Sequence, residues 1–234
     1  MDMRRDKDFF EIYLDKFPDA PSLVIVRSVE AKNFPKEYIK DPVLDLCCGD
    51  GFFASVLGLN GIYGCDIDKF ALTKAAESGV YKEVIYCDAR TLKDYPEDFF
   101  NTVIANCALE HIDGINQAIA SISRVLRKDG FLIMTVPSDN LLRWFSGNLV
   151  KYNERQKHIN IMPLTDWEII LNNNSLMIEK YFYLFDEKQY KRVIFLDSLP
   201  EQLPKLVFAV YYRILRITPK FIKKLVIVAK KNEK

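Results

Sequence analysis

The sequence predicts an α/β protein built on a mostly parallel sheet. Three observations carry that prediction. Short β-rich apolar runs alternate with helical stretches from residue 43 onward, the pattern of βαβ units. The first run, "VLDLCCGDG" (Val43–Gly51), ends in a carboxylate and breaks at Gly49-x-Gly51, where a strand would turn over a ligand. Of the 234 residues, 49% are apolar, which suits one sizeable domain with additions rather than two full ones.

The elements follow in order. Residues 6–17 and 21–33 read as two helices split by "FPDAP", and "NFPKEYIKDP" leads into the first strand. The expected strands are Val43–Leu46, Ile62–Cys65, Glu83–Tyr86, Thr102–Ala105 and Phe131–Val136. The expected helices are 51–59, 68–78, 114–127 and 165–173, with Asp68 and Thr165 placed as N-caps. "RVLRKDG" reads as a helix ending on basic residues and stopped by Gly130, because cations and glycine both suit a helix C-terminus. After Pro137 the periodicity fades. Trp144 and Tyr152 suit either a lid or ordinary packing. "LTDWEIILNNNSLMIEKYFYL" returns to helix then strand, and a last strand falls at 225–229.

Composition narrows the function. The net charge is +1, so nothing global calls for DNA or RNA. "MDMRRDKDFFEIYLDKF" is charged and amphipathic, without a secretory apolar core, and no apolar run reaches membrane-spanning length. Five cysteines, an odd number, then argue for reduced thiols and a cytoplasmic protein. Adjacent Cys47-Cys48 lacks the C-x2-C spacing of a zinc site and the two histidines lie far off in sequence, so no metal is expected. The stretch Gln202–Asn232 carries eight Lys/Arg and no Asp or Glu. Its apolar, basic part at 203–224 is a candidate for peripheral membrane contact; the plainer reading is an extra helix with solvated lysines.

Three ligands compete for the 45–54 loop. A phosphate-binding loop would end in Gly-Lys-Ser/Thr, whereas this one continues Gly51-Phe52-Phe53. A dinucleotide fits Gly49-x-Gly51-x-x-Ala54 formally, but its pyrophosphate would meet Asp45 and Asp50, with no basic residue in 41–68 placed to compensate. S-adenosylmethionine fits better, because it has no phosphate. Asp45 can face its cationic methionine end, and bare Gly49 and Gly51 allow close approach. Asp66 can accept from the ribose diol, Ile67 can lie on the adenine, and Asp88, in "CDAR", can take the adenine amino group. Three carboxylates after three successive strands form a more specific pattern than the glycines alone.

In that order, "VLDLCCGDG", "GCDID", "CDA", "FFNTVIANCALEHI" and "RVLRKDGFLIMTVPS" resemble the motifs of class I S-adenosylmethionine-dependent methyltransferases over about residues 41–138. The resemblance implies a Rossmann-like three-layer sandwich with a seven-stranded, mostly parallel sheet whose last strand is antiparallel. Residues 176–184 and 225–229 would be the final two strands. It implies one methyltransferase domain over 1–234, with N-terminal helices to 40, a cofactor core at 41–138 and a substrate-side cap at 139–175. The last two strands would flank a basic-apolar insertion at about 186–222. It assigns cofactor contacts to Asp45, Cys47, Gly49, Gly51, Asp66, Ile67, Asp88, Ala89 and Asn106, with S-adenosyl-L-homocysteine as product.

Two departures matter. Cys47 stands where the family has a glycine, which is harmless only if the backbone there is extended. The segment between the last two strands also exceeds the usual short hairpin. His111 and His158 are the candidate general bases for a hydroxyl acceptor, and each has an equally simple structural reading. Cys47 and Cys48 read as small residues in a tight turn rather than nucleophiles. The expected acceptor is a small molecule, a lipid-linked compound or a glycan, methylated on oxygen or nitrogen. The alternatives are a nucleoside-binding module without catalysis, docked on a membrane or partner, and an NAD(P)-dependent oxidoreductase.

Overall fold

The computed structural model describes residues 8–139, 157–184 and 224–232. Trp144, Tyr152 and the basic-apolar stretch up to residue 223 lie outside them. The chain falls into two compact units, one of residues 1–34 and 183–223, the other of 35–182 and 224–234. In the first, helices α1 (Phe9–Lys16) and α2 (Pro21–Lys32) pack on each other. Asn33 closes α2, its side-chain amide donating to the Val29 carbonyl at 2.7 Å.

The second unit holds the sheet. Its strands are β1 (Val43–Leu46), β2 (Ile62–Asp66), β3 (Tyr81–Tyr86), β4 (Phe100–Asn106), β5 (Leu126–Pro137), β6 (Leu176–Tyr183) and β7 (Lys224–Lys231). Their order is β3-β2-β1-β4-β5-β7-β6. Strands β1 to β5 pair in parallel, and β7 runs antiparallel to β5 between it and β6. β1 is buried along its whole length, as a central parallel strand must be. Chain order reverses direction between β1 and β4, so the loops leaving β1 and β4 open a crevice at their carboxyl ends.

The helices of this unit are α3 (Phe52–Val56), α4 (Lys69–Glu77), α5 (Ile115–Val125) and α6 (Leu164–Asn172). α4 packs against β2 and β3, and α5 against β5 and α6. Ala118, Ile119, Ile122 and Val125 form the buried stripe of α5, spaced as a helix face requires. Asp68 caps α4 as expected, its carboxylate accepting from the N–H of Phe70 and Ala71 at 2.9 and 3.1 Å.

Several boundaries differ from the sequence reading: α3 ends at Val56 rather than 59 and β3 begins at Tyr81 rather than 83, and two further shifts have a visible cause. α5 stops at Val125, a turn before Gly130, because Leu126 takes an extended backbone (ψ 138°) and starts β5. The left-handed residue there is Asp129 (φ 63°). Gly130 serves close approach instead: a Cβ on it would lie 2.9 Å from the Arg127 carbonyl and 3.1 Å from that of Asn101. At the start of α6 the cap is Pro163, not Thr165. The Pro163 carbonyl takes the N–H of Asp166 and Trp167, which places Thr165 inside the first turn. Among the described residues, no helix is long and apolar enough to cross a membrane.

Candidate active site

Three strand ends build the site. After β1, Cys48 donates its N–H to the Cys65 carbonyl (3.0 Å) and Gly51 donates to Cys48 (3.0 Å), folding the loop into a tight turn. Gly51 is left-handed (φ 76°), and a Cβ there would strike the Tyr81 ring at 2.6 Å. Gly49 is left-handed too (φ 56°), but nothing lies within 4 Å of where its Cβ would be. The space over Gly49 is thus an open cradle. Asp50 accepts the Phe52 N–H at 3.1 Å, so it caps the start of α3 rather than facing that space.

Cys47 has φ 55°, so it is not in the extended backbone that would make a side chain harmless. Burial first, then the charges of Asp66, Asp45, Glu110 and Asp88, push its thiol up to about 12. Burial pushes the Cys48 thiol up as well, with Asp45 the next cause. Neither is a thiolate at neutral pH, which fits their reading as loop residues. All five cysteines are free.

Asp45 is 4% exposed and accepts a hydrogen bond from the Tyr81 hydroxyl at 2.7 Å. Burial raises its pKa to about 7; the Tyr81 bond opposes the rise and the Asp66 charge adds to it. Burial and the Asp45 charge push the Tyr81 phenol far above its ordinary value, so it remains a donor.

Asp66 ends β2. One carboxylate oxygen accepts from the Gly49 N–H and the other from the Asp68 N–H, each at 2.9 Å. These bonds fix the carboxylate beside the cradle and leave each oxygen a lone pair for a diol. Ile67, next in the chain, is 64% exposed, a flat apolar surface at the same edge.

Asp88 lies just beyond β3. Its carboxylate accepts from the backbone N–H of Arg90 (2.8 Å), an Asx-turn, and its second oxygen takes the guanidinium at 2.6 Å. The Arg90 hydrogen bonds hold its carboxyl below the ordinary range. α5 fixes the loop: Ser121 donates to the Arg90 carbonyl (2.6 Å) and Arg124 to that of Leu92 (2.7 Å). Ala89 is buried behind Asp88. Asn106 ends β4, its side-chain oxygen accepting from the Thr135 hydroxyl of β5 at 2.6 Å.

His111 and His158, 47 positions apart, are neighbours: their ring centroids lie 4.8 Å apart. Glu110, 2% exposed, joins them, and one ligating atom from each of the three lies within 4.8 Å of the others. Remoteness in sequence therefore says nothing about these histidines in space. The Glu110 charge also contributes, after burial and the charges of Asp66 and Asp45, to raising the Cys47 thiol.

Sequence reading missed Tyr81 and the grip of Arg90 on Asp88. Tyr81 opens β3, 36 positions from Asp45, and no local spacing signals the contact. Arg90 did carry a signal: Asp-x-Arg spacing puts a guanidinium within reach of an Asx-turn carboxylate.

Residues 44–134 match the family model for a methyltransferase domain. The strand order, with β7 reversed between β5 and β6, agrees with that match. The chain has the class I S-adenosylmethionine-dependent methyltransferase fold. A SAM-dependent methyltransferase from Archaeoglobus fulgidus superposes with a TM-score of 0.61 at 19% identity, over 96% of this chain and 100% of that one. Uncharacterized protein MJ1252 of Methanocaldococcus jannaschii is 29% identical over 185 residues, 77% of this chain and 68% of that protein. The mitochondrial arginine-hydroxylase NDUFAF5 of Rattus norvegicus is 28% identical over 106 residues, 44% of this chain and 29% of that protein. S-adenosylmethionine is the cofactor of this methyltransferase fold, with S-adenosylhomocysteine as product. The cradle over Gly49, the pinned Asp66 and the bare face of Ile67 suit it.

Proposed function

We propose that the chain moves a methyl group from S-adenosylmethionine, in line, to an oxygen or nitrogen of a small-molecule, lipid-linked or glycan acceptor. The observation that carries the reading is the ladder Asp45, Asp66 and Asp88 at the carboxyl ends of three adjacent strands, beside a loop that is open over Gly49 and closed over Gly51. The carboxylates of Asp45 and Asp66 at the cradle suit a sulfonium and ammonium and oppose a pyrophosphate. That disfavours an NAD(P)-dependent oxidoreductase.

When bound, the cofactor supplies an electrophilic methyl on a cationic sulfur. The residues of the chain do the rest. Asp45 and Asn106 flank the methionine end, and Cys47, Gly49 and Gly51 shape it. Asp66 orients the ribose. Ile67, Asp88 and Ala89 border the adenine, with Arg90 releasing or sharing the Asp88 carboxylate. Much of the rate comes from positioning and from water kept out of the crevice. A hydroxyl acceptor must also lose a proton, and His111 and His158 are the candidates to receive it.

The test is calorimetric titration of S-adenosylhomocysteine and, separately, NADH into the wild type and Asp66→Ala. Micromolar binding of the first, lost in the variant, supports the reading. Binding of NADH, or of neither, overturns it. A second reading keeps the nucleoside pocket in a binding module without methyl transfer. The rat relative is named an arginine-hydroxylase, so a matching segment does not by itself entail methyl transfer. Tight S-adenosylhomocysteine binding with no labelled methyl appearing on any candidate acceptor would select that reading.

A further inference from the structure

The chain has two histidines, and both sit in one cluster with a buried glutamate. The cluster is built rather than incidental. Leu109–His111 forms a 3-10 turn directly after β4. The segment 157–160 is sewn onto that turn by four hydrogen bonds. The N–H groups of Ile159 and Asn160 donate to the Glu110 carbonyl at 2.8 and 3.1 Å. The Asn160 amide donates to the carbonyls of Leu109 and Ile112 at 2.8 and 2.7 Å. Those bonds carry His158, two residues before Asn160, over His111.

The histidine tautomer follows from its partner. His111 Nδ1 lies 3.3 Å from the Lys157 carbonyl, which can only accept. Nδ1 is therefore the donor to that carbonyl, and Nε2 is the ring nitrogen left to face a ligand. A backbone carbonyl behind one ring nitrogen is the usual support for a ligand at the other.

We propose that Glu110, His111 and His158 bind a divalent transition-metal ion at the acceptor side of the crevice. Two imidazoles and one carboxylate are the donor set of zinc, manganese, cobalt or ferrous iron, whereas magnesium and calcium favour oxygen-only shells. Three protein ligands leave coordination positions open, as catalytic sites do and closed structural sites do not. Metal bonds of about 2.0–2.2 Å put neighbouring ligand atoms roughly 3–3.5 Å apart. Closing from 4.8 Å needs a side-chain turn, and His111 is exposed enough to make it. The dication also adds positive charge beside a carboxylate that is 2% exposed.

The role of the ion rests on the methyl-transfer reading. A hydroxyl oxygen of the acceptor takes an open position on the metal, which lowers its pKa. Its proton leaves to solvent water. The oxygen pair forms the new O–CH3 bond, the C–S pair stays on sulfur, and the sulfonium becomes the neutral thioether of S-adenosylhomocysteine. The acceptor class is then a hydroxyl compound that can itself ligate a cation, and the histidines hold the metal instead of serving as bases.

The test uses tag-free full-length chain, stripped with a chelator and titrated with Co2+ while visible d–d absorption is recorded. The wild type, His111→Ala, His158→Ala and Glu110→Gln are compared, each also titrated with S-adenosylhomocysteine. The expected result is one Co2+ per chain, about tenfold weaker or more in every variant, with S-adenosylhomocysteine affinity unchanged. If Glu110→Gln fails to fold, the exposed His111→Ala variant still decides. Cobalt binding that ignores both histidine substitutions, or no stoichiometric binding, overturns the proposal. S-adenosylhomocysteine bound without Co2+ sinks the metal site alone. Co2+ bound without S-adenosylhomocysteine sinks the methyltransferase reading and leaves the metal site standing.

Discussion

At Asp45 a carboxyl with a pKa near 7 in the folded chain returns to an ordinary value when the chain unfolds. Between about pH 4 and pH 7 the folded state therefore holds the extra proton. Its stability falls as pH rises through that window and levels off above it, by at most about 4 kcal/mol. Urea midpoints measured across the window should fall for the wild type and run flatter for Asp45→Asn. The loop glycines give a second comparison. Gly51→Ala adds a Cβ 2.6 Å from the Tyr81 ring on a left-handed backbone, whereas Gly49→Ala meets backbone strain alone. The first should cost roughly 2–3 kcal/mol and the second about 1 kcal/mol. Denaturant midpoints in that order confirm the geometry; equal losses refute it. Cys47→Gly should go the other way and stabilise by about 0.5–1 kcal/mol, because φ 55° suits glycine. These contacts were unequally legible. Asp66 and Gly49 announced themselves by spacing, while the partner of Asp45 came from a strand that no local pattern links to it.

Among the elements, the cap of α4 and the seam between 157–160 and the 3-10 turn carry separate predictions. Asp68→Ala leaves the N–H of Phe70 and Ala71 without their side-chain acceptor. It should cost about 1 kcal/mol in thermal unfolding, and Asp68→Asn much less. Asn160→Ala removes two bonds to the Leu109 and Ile112 carbonyls and should cost about 1–3 kcal/mol. Hydrogen exchange of Ile159 and Asn160 should speed up most, since their N–H groups hold the same seam. Strands β1 and β4 were legible because parallel strands buried on both faces read as apolar runs. The junction of α5 and β5 was not. Basic residues and a glycine resemble a helix end, yet this glycine answers to two carbonyls, one of them on the neighbouring strand. The seam was illegible for a related reason: its bonds join residues about fifty positions apart, and nothing in "KHIN" points to "LEHI".

For the whole molecule, binding of S-adenosylhomocysteine at a hundred times its dissociation constant should stabilise the fold by about 2.7 kcal/mol. For a chain of 234 residues that is a rise in Tm of roughly 5–10 °C. NADH at the same concentration should leave Tm unmoved, and Asp66→Ala should abolish the shift. The sheet topology has a consequence for how the protein is made. Among the described residues, β6 joins the sheet only through β7, and β7 comes after every other strand. While the polypeptide leaves the ribosome, β5 and β6 both wait with an unpaired edge until residues 224–231 emerge. A nascent chain stalled before that point exposes two sticky strand edges at once, and the pairing of β7 is what shields them from aggregation.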